Sequence, residues 1–180
     1  IVLGGRLGYV AFYKPEYYLA NPNEILTIWQ GGMSFHGGLI GMLLAMEAFT
    51  RRRALSFLGV ADLIACAAPI GIAFGRVANF INGELYGRVT SVSWGVLFPR
   101  GGAEPRHPSQ LYEAALEGVV LFVLLYVLAR HTRLRFYPGA LSGVLLVGYG
   151  LARVAVEFFR EPDVQLGFQI GGLTMGQLLS

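Results

Sequence analysis

Two arginines in apolar surroundings, Arg76 and Arg153, are the side chains of this chain best suited to chemistry. Arg76 lies three residues before Asn79 near the end of a long apolar run, so on a helix the two share a face. The stretch from Gly75 to Arg88 adds Asn82 and Glu84, and Gly83 and Gly87 loosen its backbone enough for peptide N–H groups to approach an anion. Tyr149, Arg153 and Glu157 recur at four-residue spacing and form a polar stripe on another apolar segment, which Arg160 extends. An ionisable group in an apolar helix is costly without a partner, so each of these has either a structural pair or a function. Two guanidinium groups from separate helices suit bidentate binding of a phosphate. The competing readings are an Arg76 that snorkels to the headgroups where its helix leaves a membrane, and an Arg153–Glu157 pair that neutralises itself between helices.

Other polar residues carry weaker signals. His36 starts an apolar segment beside Gly37 and Gly38, where it could act as a base near neutral pH or serve as a hydrogen-bonded interface residue. Ser34 with His36 is no hydrolase signal, because no nucleophile elbow surrounds it. His36, His107 and His131 are too scattered to ligate a metal, and no cofactor is implied. The block Arg106-His107-Pro108-Ser109-Gln110-Leu111-Tyr112-Glu113 is read as capping and interface anchoring. Glu113 and Glu117, four apart in apolar sequence, would be costly facing lipid and are expected to point into a bundle.

The elements that must position these residues are membrane helices. Of 180 residues 54% are hydrophobic and only 14% charged, against roughly 25% charged in soluble domains, and the mean hydropathy is +0.55. A net charge of +3, scattered along the chain, excludes a nucleic-acid partner but suits basic loops facing a cytoplasm. Cys66, the one cysteine, excludes an internal disulfide and reads as a small core residue. The expected fold is an all-α polytopic transmembrane bundle of about five to six membrane segments in the lipid bilayer. The segments run from Ile1 to Tyr13, Met33 to Thr50, about Leu58 to Phe80 with Pro69 as a kink, Pro108 to about Ala129, Pro138 to about Phe159, and from Leu173 onward. A long outer loop, Glu84 to His107, contains a short extended piece over Val92–Phe98. Residues 1–180 read as a single transmembrane domain, an internal piece lacking the first helix and the end of the last.

The basic turns Arg51–Arg53 and Arg130–Arg135 belong on the cytoplasmic side. His36, Arg76, Asn79 and Arg153 then fall in the outward halves of their helices, at the depth of phospholipid headgroups. Gly4/Gly8, Gly37/Gly41, Gly71/Gly75 and Gly139/Gly143 have the spacing that lets helix backbones approach. Gly5-Arg6-Leu7-Gly8-Tyr9 faintly echoes Gly75-Arg76-Val77-Ala78-Asn79, but no two halves align as the inverted repeats of a transporter would. A transporter or flippase for an anionic lipid, or a protein that binds such a lipid without consuming it, stays open on the residues alone.

Four blocks, taken together, resemble the bacterial prolipoprotein diacylglyceryl transferases. They are Gly31-Gly32-Met33-Ser34-Phe35-His36-Gly37-Gly38, Gly75-Arg76 through Gly87-Arg88, His107-Pro108-Ser109-Gln110-Leu111-Tyr112-Glu113, and Gly148-Tyr149-Gly150 through Arg153, Glu157, Arg160 and Pro162-Asp163. The resemblance implies an inner-membrane enzyme, its active site toward the outer (periplasmic) leaflet. It would move the diacylglyceryl group of phosphatidylglycerol to the lipobox cysteine thiol of a prolipoprotein signal peptide, releasing glycerol phosphate. It also implies catalytic roles for His36, Arg76, Asn79, Tyr149 and Arg153, and substrate-binding roles for Gly37, Gly38, Asn82, Glu84, Gly87, Glu157 and Arg160. The family's first helix, with a functional tyrosine, has no counterpart in these residues.

Overall fold

A computed structural model describes residues 1–161. The expected helix from Leu173 and the Pro162-Asp163 loop lie outside those residues. The chain divides into two compact units, Ile1–Val60 and Ala61–Ser180.

In the first unit α1 (Val2–Tyr13) is followed by a short α2 (Pro15–Ala20), two single helical turns and α3 (Phe35–Arg53). Glycines set the contact of α1 with α3. A Cβ on Gly8 would lie 2.7 Å from the Gly37 Cα, and one on Gly4 would lie 2.9 Å from the Gly41 Cα. The first two expected small-residue pairs therefore face each other. For the other two pairs, a Cβ on Gly71, Gly75 or Gly143 would meet nothing within 4 Å among the described residues. Between α2 and α3 the chain turns around Arg6, which is buried on α1. Its Nε donates to the Ile25 carbonyl (2.8 Å) and its Nη2 to the Glu24 carbonyl (2.7 Å) and the Thr27 hydroxyl (3.1 Å). Its Nη1 donates to the carbonyls of Gly31 and Gly32. One cation thus satisfies the polar backbone of the connection, which no sequence signal beyond the faint echo marked. Ser34 completes the join: its N–H donates to the Gly5 carbonyl (2.8 Å) and its hydroxyl caps α3 by accepting from Gly37 N–H (3.3 Å).

The second unit is built on α4 (Phe57–Ile81), α5 (Ser109–His131) and α6 (Ala140–Glu157). These three helices are long and apolar enough to cross a membrane. The first unit's α1 has 12 residues, and the 19 residues of α3 include Glu47 and Arg51–Arg53. The chain is an all-α, multi-pass membrane protein. In the second unit Leu121, Leu125 and Leu141 form a buried apolar cluster, with Cys66, Val144, Leu145 and Tyr149 packed on them, so the cysteine fills the packing place expected of it. α4 continues through Pro69, which is buried. Residues Ala114–Val120 of α5 form a π-helical stretch. Within it, a Cβ on Gly118 would lie 2.6 Å from the Ala73 Cβ of α4, so the glycine admits the close approach of the two helices.

Asp62 sets the lower register of α4 on α6. The start of α6 has no cap from its own sequence, for Gly139 has no side chain to offer. The buried Asp62 carboxylate accepts instead from Gly139 N–H (2.8 Å), Ser142 N–H (2.7 Å) and the Ser142 hydroxyl (2.7 Å). A negative charge at a helix N-terminus also complements the helix dipole.

The long loop between α4 and α5 has no regular strand among the described residues; it makes the isolated pairings Gly87 with Arg160, and Val89 and Val96 with Arg106. The extended piece expected over Val92–Phe98 is reduced to Val96, because the chain turns back at Val92–Gly95. Replacing Asp62 with Ala should lower the thermal midpoint of the detergent-solubilised full-length protein by the equivalent of about 0.5–2 kcal/mol, the usual worth of a helix cap. Asp62→Asn should fall between the two.

Candidate active site

The buried carboxylate of Glu113, in the first turn of α5, is the centre of the site. Three arginines from separate places in the chain reach it. Arg76 of α4 approaches with Nε 3.0 Å from Glu113 Oε2, and Arg160, just past α6, donates from Nη1 to Oε1 at 3.0 Å. Arg153 of α6 has its Nη1 3.5 Å from the same Oε1 and 2.7 Å from Glu157 Oε2. Arg160 Nε also lies 4.0 Å from Glu157 Oε2, and Arg76 Nη2 lies 3.4 Å from Oε2 of the buried Glu117. Three guanidinium groups face three carboxylates, so the cluster is formally neutral. That neutrality is what allows it to be buried among apolar helices.

Of the two competing readings of the arginines from sequence, the structure bears out one. The Arg153–Glu157 pair exists, as the self-neutralising reading requires. Arg76 does not snorkel; Glu113 and Glu117 supply the carboxylate partners that its own neighbourhood in sequence lacks. It is also not a bare half of a two-arginine clamp. Its guanidinium is held from one side by carboxylates while the residue lines an open cleft of about 280 Å³ with Ile72, Gly75, Asn79 and Tyr149. Nε and Nη2 make the ion pairs, and Nη1 has no part in them. The cleft joins a cation to amide and phenol groups, a donor set suited to an anion carrying hydroxyl groups.

The remaining expected residues serve other ends. Gly87 is buried where three backbone segments meet. Its N–H donates to the His107 carbonyl (2.9 Å), and a Cβ there would lie 2.8 Å from that oxygen and collide with the Phe159 carbonyl. Next to it, Arg88 N–H donates to the Phe159 carbonyl (2.9 Å) and Arg88 Nε to the Arg160 carbonyl (2.6 Å). Gly87 is therefore the point at which the loop grips the end of α6 and fixes Arg160. Glu84 has an exposed side chain, but its carbonyl accepts from Gln110 Nε2 (2.6 Å). The Leu85 carbonyl accepts from the Ser109 hydroxyl (3.1 Å). Ser109 and Gln110, expected as capping and anchoring residues, instead bind the backbone of the loop that leaves α4; capping failed as a reading because the partners lie far away in sequence. Asn82 is exposed in the turn after α4.

His36, Gly37 and Gly38 belong to the first unit. His36 is exposed in the first turn of α3, its ring edge-on to Phe35. Gly37 is buried against Gly4 and Gly8. Gly38 lines an apolar cleft with Gly5, Met33, Phe35 and Met42. The structure thus brings Arg76, Asn79, Tyr149, Arg153, Glu157 and Arg160 into one site, and adds Glu113 and Glu117. Those two had a visible signal, acids four apart in an apolar helix, but nothing local showed that Arg76 was their partner. Among the described residues no group of acidic, histidine or cysteine side chains could hold a metal ion.

The sequence profile of the prolipoprotein diacylglyceryl transferases matches residues 1–180, the whole chain. The chain belongs to this family. Among the curated relatives it matches, the phosphatidylglycerol–prolipoprotein diacylglyceryl transferase of Paramagnetospirillum magneticum is 64% identical over 100% of this chain and 67% of its own length. That of Allorhizobium ampelinum is 62% identical over 100% of this chain and 63% of its own. That of Rhodospirillum rubrum is 59% identical over 99% of this chain and 66% of its own. The chain thus spans about two thirds of the length of these transferases.

Glu113→Gln would leave three guanidinium groups facing two carboxylates. Breaking a buried ion pair in this way typically costs 3–5 kcal/mol, and the full-length protein in detergent should unfold at a clearly lower temperature. An unchanged midpoint would show that the cluster does not hold the helices.

Proposed function

We propose that the protein transfers the diacylglyceryl group of phosphatidylglycerol to the lipobox cysteine thiol of a prolipoprotein signal peptide and releases glycerol phosphate. This is the first step of bacterial lipoprotein maturation. The names of the relatives and the match over the whole chain support the reaction class. The single observation that carries the mechanism is the double environment of Arg76: fixed from one side by Glu113 and Glu117, it opens on the other to a cleft shared with Asn79 and Tyr149.

In the reaction a thiolate displaces a phosphate oxygen at the glycerol carbon, so a phosphodiester monoanion becomes a monoester with a second negative charge. A guanidinium already held in place stabilises that charge without reorganising during the reaction. Arg76 is the phosphate ligand in this scheme, and Asn79 and Tyr149 hold glycerol or phosphate oxygens. Arg153 and Arg160 act behind it by keeping Glu113 and Glu157 neutralised. His36 is the candidate to draw the proton from the thiol or to orient the headgroup, with Gly37 and Gly38 beside it at the start of α3. Asn82, Glu84 and Gly87 shape the loop over the cleft. The proposed setting is the bacterial inner membrane, with the site at the outer leaflet and the basic turns in the cytoplasm.

The test uses full-length protein in phosphatidylglycerol vesicles with a lipobox peptide, following peptide mass and released glycerol phosphate together. The wild type should add one diacylglyceryl group for each glycerol phosphate released. Arg76→Ala should still insert but lose on the order of 10²–10³ in rate, the usual cost of removing one such donor. Lipid movement without change in peptide mass, or a normal rate in Arg76→Ala, would contradict the proposal.

A further inference from the structure

Buried oxygens of Glu113, Glu117 and Glu157 all lack a hydrogen-bond partner among the described residues, but Glu113 Oε2 and Glu157 Oε2 each face an arginine within 3.0 Å, which Glu117 Oε1 does not. Glu117 is wholly buried, and among the described residues its one ion pair is the 3.4 Å contact of Oε2 with Arg76 Nη2. Its Oε1 is buried with no hydrogen-bond partner among the described residues. Such an oxygen is expensive to keep charged and unbonded in an apolar interior. The other two carboxylates are better held. Glu113 receives all three guanidinium groups, and Glu157 has Arg153 at 2.7 Å. Glu117 also lies in the π-helical stretch of α5, a rare geometry that recurs at functional sites.

Charge counting gives this oxygen a task. The neutral cluster with a bound phosphodiester carries one net negative charge. After transfer the phosphate is a dianion and the total is two, in a site where unbalanced charge is costly. We propose that Glu117 takes up the proton released by the acceptor thiol, so that the net charge around Arg76 stays constant while the phosphate gains its second charge. This inference rests on the transferase reading and names the resting place of its proton.

The balance is complete without any further reactant. The S–H bond breaks and the sulfur pair forms the S–C bond. The C–O bond to phosphate breaks with its pair on the phosphate oxygen, and the proton comes to rest on a Glu117 oxygen. Protonation gives up the 3.4 Å pair with Arg76 and releases Arg76 Nη2 for the phosphate. When glycerol phosphate leaves, the proton leaves for water and the Glu117–Arg76 pair re-forms. The charged groups that act on Glu117 are Arg76 from α4, Arg153 from α6 and Glu113 from its own helix. Glu157 and Arg160 are bound to those groups, and Tyr149 faces the same cleft as Arg76.

The test is proton linkage, which a purely structural counter-ion would not show. Glycerol phosphate is titrated into the full-length protein in buffers of different ionisation enthalpy, at a pH where the ligand is a dianion. The wild type should take up about one proton for each ligand bound, by the linkage between charge and proton binding. A carboxylic-acid C=O band should appear in its infrared difference spectrum. Glu117→Gln, already neutral, should bind with no proton uptake and no such band. Absence of uptake by the wild type, or no binding of glycerol phosphate, would overturn the proposal, and the wild type reads out both without a variant. Uptake that persists in Glu117→Gln would assign the proton elsewhere and overturn it too. Diacylglyceryl transfer without proton uptake would sink the Glu117 proposal alone, whereas no transfer to the peptide would sink the transferase reading.

Discussion

Three guanidinium groups around one buried carboxylate, Glu113, are the constraint on which the second unit depends. A lone charge at this depth would be prohibitive, and so would three arginines without acids. Each of α4, α5 and α6 must therefore be set so that Arg76, Glu113, Glu117, Arg153 and Glu157 meet, and the chain after α6 must return Arg160 to the same point. Much of the remaining polar structure serves that register. Asp62 ties the far end of α4 to the start of α6. Ser109 and Gln110 hold the loop leaving α4, and Gly87 with Arg88 grips the backbone at Phe159 and Arg160. Apolar packing through Leu121, Leu125 and Leu141 supplies cohesion, but nonspecific packing alone would let helices slide in lipid.

The same arrangement explains how an enzyme of this family can carry a reactive cation in an apolar setting. Carboxylates immobilise Arg76 from behind and cancel the charge of the cluster at rest. In the proposed reaction its open side is the fixed donor for a ligand that brings its own negative charge, organised before that anion arrives.

Much of this was legible in the sequence. Composition and hydropathy give the membrane class, and the long helices of the described residues were placed within a few residues; α4 spans Phe57–Ile81 where Leu58 to Phe80 was expected, whereas the short α2 was not foreseen. Four-residue spacing correctly joined Tyr149, Arg153 and Glu157. What local pattern could not show was pairing across helices. Glu113 and Glu117 looked like buried acids and Arg76 like an unpartnered cation, because the contact that unites them belongs to the bundle. For the same reason Asp62 carried no signal as a cap for a helix that starts at Ala140, and Arg6 none as the organiser of the turn before α3. Gly87 was marked for its place in the Gly75–Arg88 block, but its physical reason, the meeting of three backbones, appears only in three dimensions.

The most direct measurement is a structure of the full-length protein with phosphatidylglycerol bound in a lipid environment. The lipid phosphate is expected within hydrogen-bond distance of the Arg76 guanidinium, beside Asn79 and Tyr149, with Glu113 still ion-paired behind it. A phosphate bound elsewhere, with the cleft of Arg76, Asn79 and Tyr149 left empty, would contradict the assignment of Arg76 as its ligand.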